Sequence, residues 1–290
     1  MTSPLVSILM TAYNREKYIA EAIESVLAST YENFELIITD NCSTDSTTEI
    51  AAAYARQDSR IRVYTNSENI GQFPNRNYAA SLANGVYLKY LDSDDKIYPF
   101  GLAILVKRAM QYPEAGLIMS TPVMDEKIPY PELLSPHDAY EKYFLTEDFP
   151  SVGPSFVLIK KTAFEAVKGF TIPAYAGTDT EFLLRIAAIF PVVKAENGTV
   201  WYRQHPDQEI QLAFRNYEYE LQEFRVFSAL LNDKNCPLNR EEKLEAFNKL
   251  KKRNIRRMFR FLSGFRIGLA KKLYREVKPS LSDTVKALSN

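Results

Sequence analysis

Four near-continuous apolar runs, each followed by a stretch of helical periodicity, constrain the fold of this 290-residue chain more than any other feature. LVSILMTA (5–12) precedes a helical pattern with Ile19, Ile23, Val26 and Leu27 on one face, and FELIITD (34–40) precedes a helix from about Thr44. IRVYT (61–65) and VYLKYLD (86–92) follow, each with a helical stretch beyond it. A strand apolar along its whole length, rather than at every second position, is one covered on both faces, which is the situation of a parallel sheet flanked by helices. The order therefore predicts βαβαβαβ, with Asn14 and Thr44 as the N-caps of the first two helices. With 46% hydrophobic and 25% charged residues, the chain can supply the core such a sheet needs.

Beyond these strands the rhythm breaks. Residues 121–150 carry Pro122, Pro129, Pro131, Pro136 and Pro150, which predicts a surface excursion or lid. SFVLIK (155–160) reads as a strand, TDTEFLLRIAAI (178–189) as an amphipathic helix and TVWYRQ (199–204) as a late strand. From about Ile210 the pattern is helical only. The expected division is therefore 1–210, with halves at 1–120 and 121–210, and a helical basic region at 211–290.

The formal net charge is zero, but residues 249–278 hold twelve Lys or Arg against one acid, Glu276. The same stretch carries Ile255, Met258, Phe259, Phe261, Leu262, Phe265, Ile267 and Leu269. Two readings fit: an amphipathic segment lying on an anionic membrane surface, or a structural helical pair with a solvated basic face. Charge alone would also allow nucleic-acid binding, but the acidic body and the absence of a recognition motif make nucleic acid an unexpected partner. Cys42 and Cys236 are far apart and outside any C-x-x-C spacing, which supports neither a disulfide framework nor zinc. No charged leader with an apolar core opens the sequence and no run of about 18 apolar residues occurs, so the expectation is a cytoplasmic protein, with the inner membrane face as a variant of that placement.

Polar residues gather where the four strands end: Thr11, Tyr13 and Asn14 after the first, Asp40 and Asn41 after the second, Asn69 to Arg76 after the third, and Asp92 to Asp95 after the fourth. Parallel strands bring these ends to one edge, where open α/β sheets bind ligands. The D-x-D of Asp92 and Asp94 can hold a hard divalent cation against a diphosphate. An EF-hand is excluded because position six of such a loop would be Ile97 and position twelve Ala103. Neither G-x-G-x-x-G nor a P-loop string occurs, so phosphates need another source of positive charge.

VSILMTAYNREKYIAEAIESVLASTYENFELIITDNCSTDST, then NIGQFPNRNYAA, then YLKYLDSDD, resembles a family 2 glycosyltransferase of the GT-A fold. The likeness runs from Val6 to Asp95 and more weakly through PSFVLIKKTAFEAVKGF, GTDTEFLLRIA and WYRQH to His205. It implies an α/β nucleotide-sugar-binding fold with a helical C-terminal extension, a nucleotide-sugar donor expected to be UDP-linked, a divalent metal (Mn²⁺ or Mg²⁺), inversion at the anomeric carbon, and a saccharide or lipid-linked saccharide acceptor. Thr11 and Tyr13 match nucleobase positions, Tyr13 by stacking; Asp40 matches the carboxylate that accepts from the base; Arg76 matches a donor-site cation. Ala12, Asn14, Asn41, Asn69 and Ser93 complete the expected donor site. Asp92 matches the position near ribose and metal, Asp94 the direct metal ligand, and His205 a histidine near the diphosphate or metal. Asp179 matches the second residue of the family's E-D motif, the general base. Thr178 departs from that motif, and Glu181, two positions on, leaves the base open between the two acids. The alternative from another class is a non-catalytic subunit of the same fold, binding a partner or membrane through its basic tail. A sugar-1-phosphate nucleotidyltransferase would need a Gly-rich, Arg-containing loop after the first strand, and TAYNREKY is not one.

Overall fold

The computed structural model describes residues 3–120, 130–146, 149, 152–174, 177–205 and 217–289. Contacts divide the chain into two units: residues 1–135, 151–174 and 190–204 form the first, and 136–150, 175–189 and 205–290 the second.

The first unit is built on an eight-stranded sheet. Strands β1 (Val6–Ala12), β2 (Phe34–Asp40), β3 (Ile61–Thr65) and β4 (Tyr87–Tyr90) lie in the order β3-β2-β1-β4, all parallel. Val6, Ile8, Leu9 and Met10 of β1 and Leu36, Ile37 and Ile38 of β2 are fully buried, as continuous apolar strings require. Each such side chain taken from water contributes about 1.5–3 kcal/mol to the core. The connections are α1 (Ile19–Leu27), α2 (Thr47–Ala55) and α3 (Gln72–Ser81). Helix α1 buries Ile19, Ala22, Ile23 and Val26, close to the face predicted.

After β4 come a two-residue strand β5 (Lys96–Ile97), helix α4 (Gly101–Gln111) and β6 (Leu117–Met119). The sheet then continues through β7 (Glu132–Leu134), β8 (Val157–Lys160) and β9 (Val192–Lys194) in the order β4-β8-β6-β9-β7. β6 and β9 are parallel, while β8 and β7 run antiparallel to their neighbours. β10 (Val200–Trp201) pairs antiparallel with β5 in a separate two-stranded sheet.

Three local readings are corrected. Asn14 does not cap α1, which starts at Ile19 behind Tyr18; with φ of 52° it occupies the left-handed region that Asn tolerates, and its Oδ1 accepts from the Thr44 backbone N–H at 2.9 Å. Thr44 does not cap α2, which starts at Thr47 after Ser46, because the Asp45 carboxylate takes the Thr47 N–H at 3.0 Å. Within the proline-rich stretch, 121–129 and 150 lie outside the described residues, but 132–134 is the edge strand β7 and 136–141 is helix α5 (Pro136–Glu141), with Ala139 and Tyr140 buried. Pro131 precedes an edge strand and Pro136 opens a helix, two positions where a missing N–H costs nothing.

The second unit contains α5, α7 (Thr178–Ala187), α8 (Glu218–Asn232), α9 (Arg240–Ser263), α10 (Ile267–Val277) and α11 (Leu281–Leu288); α6 (Lys161–Ala166) belongs to the first. Asn239 caps α9 in a capping box with Glu242, and Ser280 caps α11 in another with Asp283. Ile255, Met258, Phe261, Ala270, Leu273, Val277 and Ala287 form one core, with Phe259 and Leu269 packed against it. Most of the apolar side chains in the basic stretch are thus consumed by helix packing, although Leu262, Phe265 and Ile267 are exposed. Among the described residues no helix is long and apolar enough to cross a membrane.

Candidate active site

The register of the parallel strands sets the edge. Ala12 at the end of β1 lies opposite Asp40 at the end of β2, and Asp40 lies opposite Thr65 at the end of β3. On the other side of β1, Leu91 donates its N–H to the Leu9 carbonyl, so the chain leaving β4 emerges at the same edge. Thr11 and Ser93 are tied there directly, the Ser93 hydroxyl donating to the Thr11 carbonyl at 2.9 Å.

Asp40 is buried and accepts from both the hydroxyl and the backbone N–H of Ser43, at 2.5 and 2.9 Å. Beside it, buried Asn41 organises the loop after β3: its Oδ1 accepts from Asn66 Nδ2 and the Ile70 N–H, both at 3.0 Å, and its Nδ2 donates to Asn69 Oδ1 at 2.7 Å. Asn69 in turn accepts from the Gly71 N–H at the start of α3. Asn41 and Asn69 are therefore scaffolding for the loops. Tyr13 is exposed at 43%, which leaves its ring accessible.

Arg76 comes from α3 and is only 1% exposed. Its guanidinium donates to Asp92 Oδ1 at 2.7 Å and lies 5.6–5.9 Å from the rings of Phe73, Tyr90 and Phe170. Asp94 is held by Arg15, whose Nε donates to Oδ2 at 3.2 Å. Each D-x-D carboxylate is thus positioned by an arginine. Arg203 braces the same turn, donating its backbone N–H to Asp95 Oδ1 at 3.1 Å and its Nε to the Asp94 carbonyl at 2.9 Å. Arg15 and Arg203 were not among the sequence candidates. Arg15 directly follows the TAYN string and Arg203 sits inside WYRQH, so adjacency to motifs was the available signal.

Beneath the acids lies Lys89, fully buried in β4, with Nζ donating to the Tyr90 carbonyl at 2.9 Å and to that of Ser155. Burial pulls its pKa down to about 7, although the Asp95 and Asp92 carboxylates oppose the shift. Asp95 is also buried; desolvation and then the neighbouring Asp92 push its pKa up to about 7. Ser155 joins the group by accepting the Asp92 N–H on its hydroxyl at 3.0 Å.

In the second unit, Asp179 and Glu181 occupy the first turn of α7, behind Gly177 at φ 97°. Glu181 is buried and paired with Arg185 four residues on, Oε1 to Nε at 2.7 Å and Oε2 to Nη2 at 3.2 Å. Asp179 is half-buried, and residues two apart on a helix point to different sides. His205 also belongs to this unit and is half-buried.

Two carboxylates at one turn match what Mg²⁺ or Mn²⁺ takes from a protein when substrate phosphates and water supply the other ligands. Asp92 is about a third exposed and Asp94 about an eighth, and the arginine pairs use Asp92 Oδ1 and Asp94 Oδ2. The residues fit such an ion. Among the described residues, the three ligand groups that lie within 4.8 Å of one another are instead His137, Asp138 and Glu141 of α5. His137 is held at 3.0 Å by Glu242.

A sequence profile described as glycosyl transferase family 2 matches residues 7–167. The chain belongs to that family. Among curated relatives, it is 44% identical over 93 residues to TuaG of Bacillus subtilis, named as a glycosyltransferase of teichuronic acid biosynthesis, covering 32% of this chain and 37% of that protein. It is 40% identical over 93 residues to glycosyltransferase GlyG of Streptococcus pneumoniae, covering 32% and 31%. The match thus spans about a third of these relatives' length. Among solved structures, S. aureus TarS residues 1–349 in complex with UDP-GlcNAc superposes with a TM-score of 0.73 at 18% identity, covering 98% of this chain and 81% of the other. The mannosyltransferase PcManGT of Pyrobaculum calidifontis, in complex with GDP-Man and Mn²⁺, gives 0.67 at 18%, covering 99% and 79%. These likenesses establish the fold, an α/β sheet of GT-A type with C-terminal helices.

Proposed function

We propose that this family 2 member is an inverting glycosyltransferase that moves a sugar from a nucleotide diphosphate donor, UDP-linked, to a hydroxyl of a saccharide or lipid-linked saccharide. The observation that carries the reading is the pair Asp92 and Asp94, each fixed by an arginine at the sheet edge that also carries Asp40 and Tyr13. Tyr13 stacks on the base, Asp40 takes a hydrogen bond from it, and Arg76 places its charge on the donor side. Asp92 and Asp94 would hold Mn²⁺ or Mg²⁺, which supplies positive charge to the departing diphosphate. A hydroxyl is a poor nucleophile until a positioned carboxylate removes its proton, and Asp179 is assigned that task. Glu181, whose carboxylate pairs with Arg185, is the alternative base. His205 is retained as a group near the diphosphate. A cytoplasmic location, where nucleotide sugars are supplied, belongs to this reading, as does contact of residues 249–278 with a membrane surface.

Thermal-shift measurements with UDP, GDP and their sugars, with and without Mn²⁺, test the donor assignment. Ligand at a hundredfold above its Kd should stabilise by about 2.7 kcal/mol. No stabilisation by any nucleotide would favour a non-catalytic subunit. Asp94→Asn should weaken the metal-dependent part of donor binding. Asp179→Asn should leave donor binding intact and lower transfer by roughly 10²- to 10⁴-fold; full transfer by that variant would return Glu181 to consideration.

A further inference from the structure

The D-x-D turn is held by more than its arginines. Pairing of β4 with β8 runs from Tyr87 opposite Lys160 to Lys89 opposite Leu158 and ends there, because Pro154–Phe156 folds into a 3₁₀ turn closed by the Phe156 N–H on the Gly153 carbonyl at 3.0 Å. That turn sets Ser155, buried, beside the exit of β4. Where the ladder stops, the Lys89 ammonium takes its place, donating to the Tyr90 carbonyl at 2.9 Å and to the Ser155 carbonyl. A buried carbonyl needs a donor, and here a strand lysine supplies one to both segments at once.

Ser155 thus gives its carbonyl to Lys89 and its hydroxyl to the Asp92 N–H, the latter at 3.0 Å. Asp92 is gripped at three places. Arg76 of α3 donates to its carboxylate at 2.7 Å, Ser155 accepts from its N–H, and its carbonyl accepts from the Asp95 N–H at 2.9 Å. The first of these acts on the side chain and the third lies within the turn. Of the three, the Ser155 bond is the one that ties the main chain of Asp92 to the segment entering another strand. A peptide unit is planar and turns as one piece, so an N–H held on a fixed acceptor also fixes the direction in which the Asp92 side chain leaves the backbone.

We propose that Ser155 is a positioning residue for the divalent metal of the donor site, acting through the main chain of Asp92. The inference rests on Asp92 and Asp94 holding that metal, as in the reading above. Groups that orient a ligand without touching the ion commonly change metal affinity by about 10- to 100-fold. Mg²⁺ and Mn²⁺ take carboxylate oxygens in near-octahedral sites, where a misplaced ligand is poorly tolerated. Lys89 serves the same end one step further back, since its ammonium holds the carbonyl of the residue whose hydroxyl holds Asp92.

The test uses the full chain, with Mn²⁺ titrated in parallel arms containing UDP or GDP and free and bound Mn²⁺ followed by electron paramagnetic resonance. Nucleotide binding in chelator is measured separately by calorimetry. Ser155→Ala should weaken Mn²⁺ binding by about tenfold and alter the spectrum of the bound ion, while metal-free nucleotide affinity stays within about twofold of wild type. Ser7→Ala is the control for lost packing and hydrogen bonding. It removes another buried hydroxyl of the same sheet, which accepts from the Gly85 N–H at 2.8 Å at the opposite end of β1 and β4. It should lower the melting temperature and leave the affinity and the spectrum of bound Mn²⁺ unchanged. If the wild type binds Mn²⁺ and Ser155→Ala binds it equally well with the same spectrum, this inference alone is overturned. Equal weakening by Ser7→Ala, or an equal loss of metal-free nucleotide binding in Ser155→Ala, overturns it too, since either would make the hydroxyl a general brace. A wild type that binds no Mn²⁺ with either nucleotide overturns the metal-dependent donor reading and this inference with it.

Discussion

A lysine and an aspartate buried under the D-x-D turn are tuned in opposite directions. Lys89 has its pKa drawn from 10.5 to about 7 by burial, and Asp95 has its own pushed from 3.8 to about 7 by burial and Asp92. A raised aspartate binds its proton more tightly in the folded state, so its contribution to stability is full below 3.8 and is lost as the pH rises to about 7. A lowered lysine works from the other side: its contribution is full above 10.5 and is lost as the pH falls through about 7. Asp95→Asn removes the first dependence while keeping an oxygen to accept from Arg203. Measured in chelator by urea unfolding, the stability of the variant relative to wild type should improve on the order of 2 kcal/mol between pH 4 and pH 7.5; parallel curves would count against a protonated Asp95. This pair was invisible in the sequence. YLKYLD shows a lysine in an apolar strand, but only the return of Ser155 to the same place reveals where its ammonium goes. The acids themselves were legible because a strand that runs into carboxylates is a local pattern.

At the scale of elements, legibility followed length. β1, β2 and β3, with five to seven residues each, announce themselves by near-continuous apolar content, whereas β6, β7 and β9 have three residues and β5 and β10 two, too few for any period. The helix caps failed for a related reason: Asn14 and Thr44 bond to each other's loops, a contact across 30 positions that no local rule contains. The position of β4, which delivers the D-x-D, depends on a residue without a side chain. Gly85 packs so closely on β1 that an added Cβ would lie 2.6 Å from Ser7 N, 2.7 Å from Ser7 Oγ and 2.8 Å from the Leu5 carbonyl. Two of these three atoms are backbone and cannot turn away. Gly85→Ala should therefore destabilise by about 1–3 kcal/mol, as overpacking does, and, on the donor site proposed above, should lower nucleotide-sugar binding because β4 must shift with its aspartates. A melting temperature within a degree of wild type would show that the strand pair can open without cost.

For the molecule as a whole, the two units are not two halves of the sequence. The periodicity suggests a boundary near residue 210, since everything beyond it is helical. Contacts instead gather 136–150 and 175–189 with the C-terminal helices. Tyr143 and Phe144 meet Phe227 of α8 with ring centroids 5.4 and 6.0 Å apart, and Gly177 lies against the Tyr219 ring at a distance where a Cβ would stand 3.0 Å away. The helix that carries Asp179 thus belongs to a core whose larger part lies after residue 210, and nothing local in TDTEFLLRIAAI could disclose it. A chain truncated to 1–210 keeps every strand but loses the partners of α5 and α7. Phe144, Tyr140 and the apolar face of α7 would be uncovered, a set worth about 1.5–3 kcal/mol per large side chain. The truncated chain should bind a hydrophobic dye and lose soluble yield; with Asp179 as the base proposed above, transfer should fall as that helix loses its fixed position, even where nucleotide binding by the strand edge survives. A truncated chain that stays monomeric, excludes the dye and transfers sugar at the full rate would place the structural boundary at residue 210 after all.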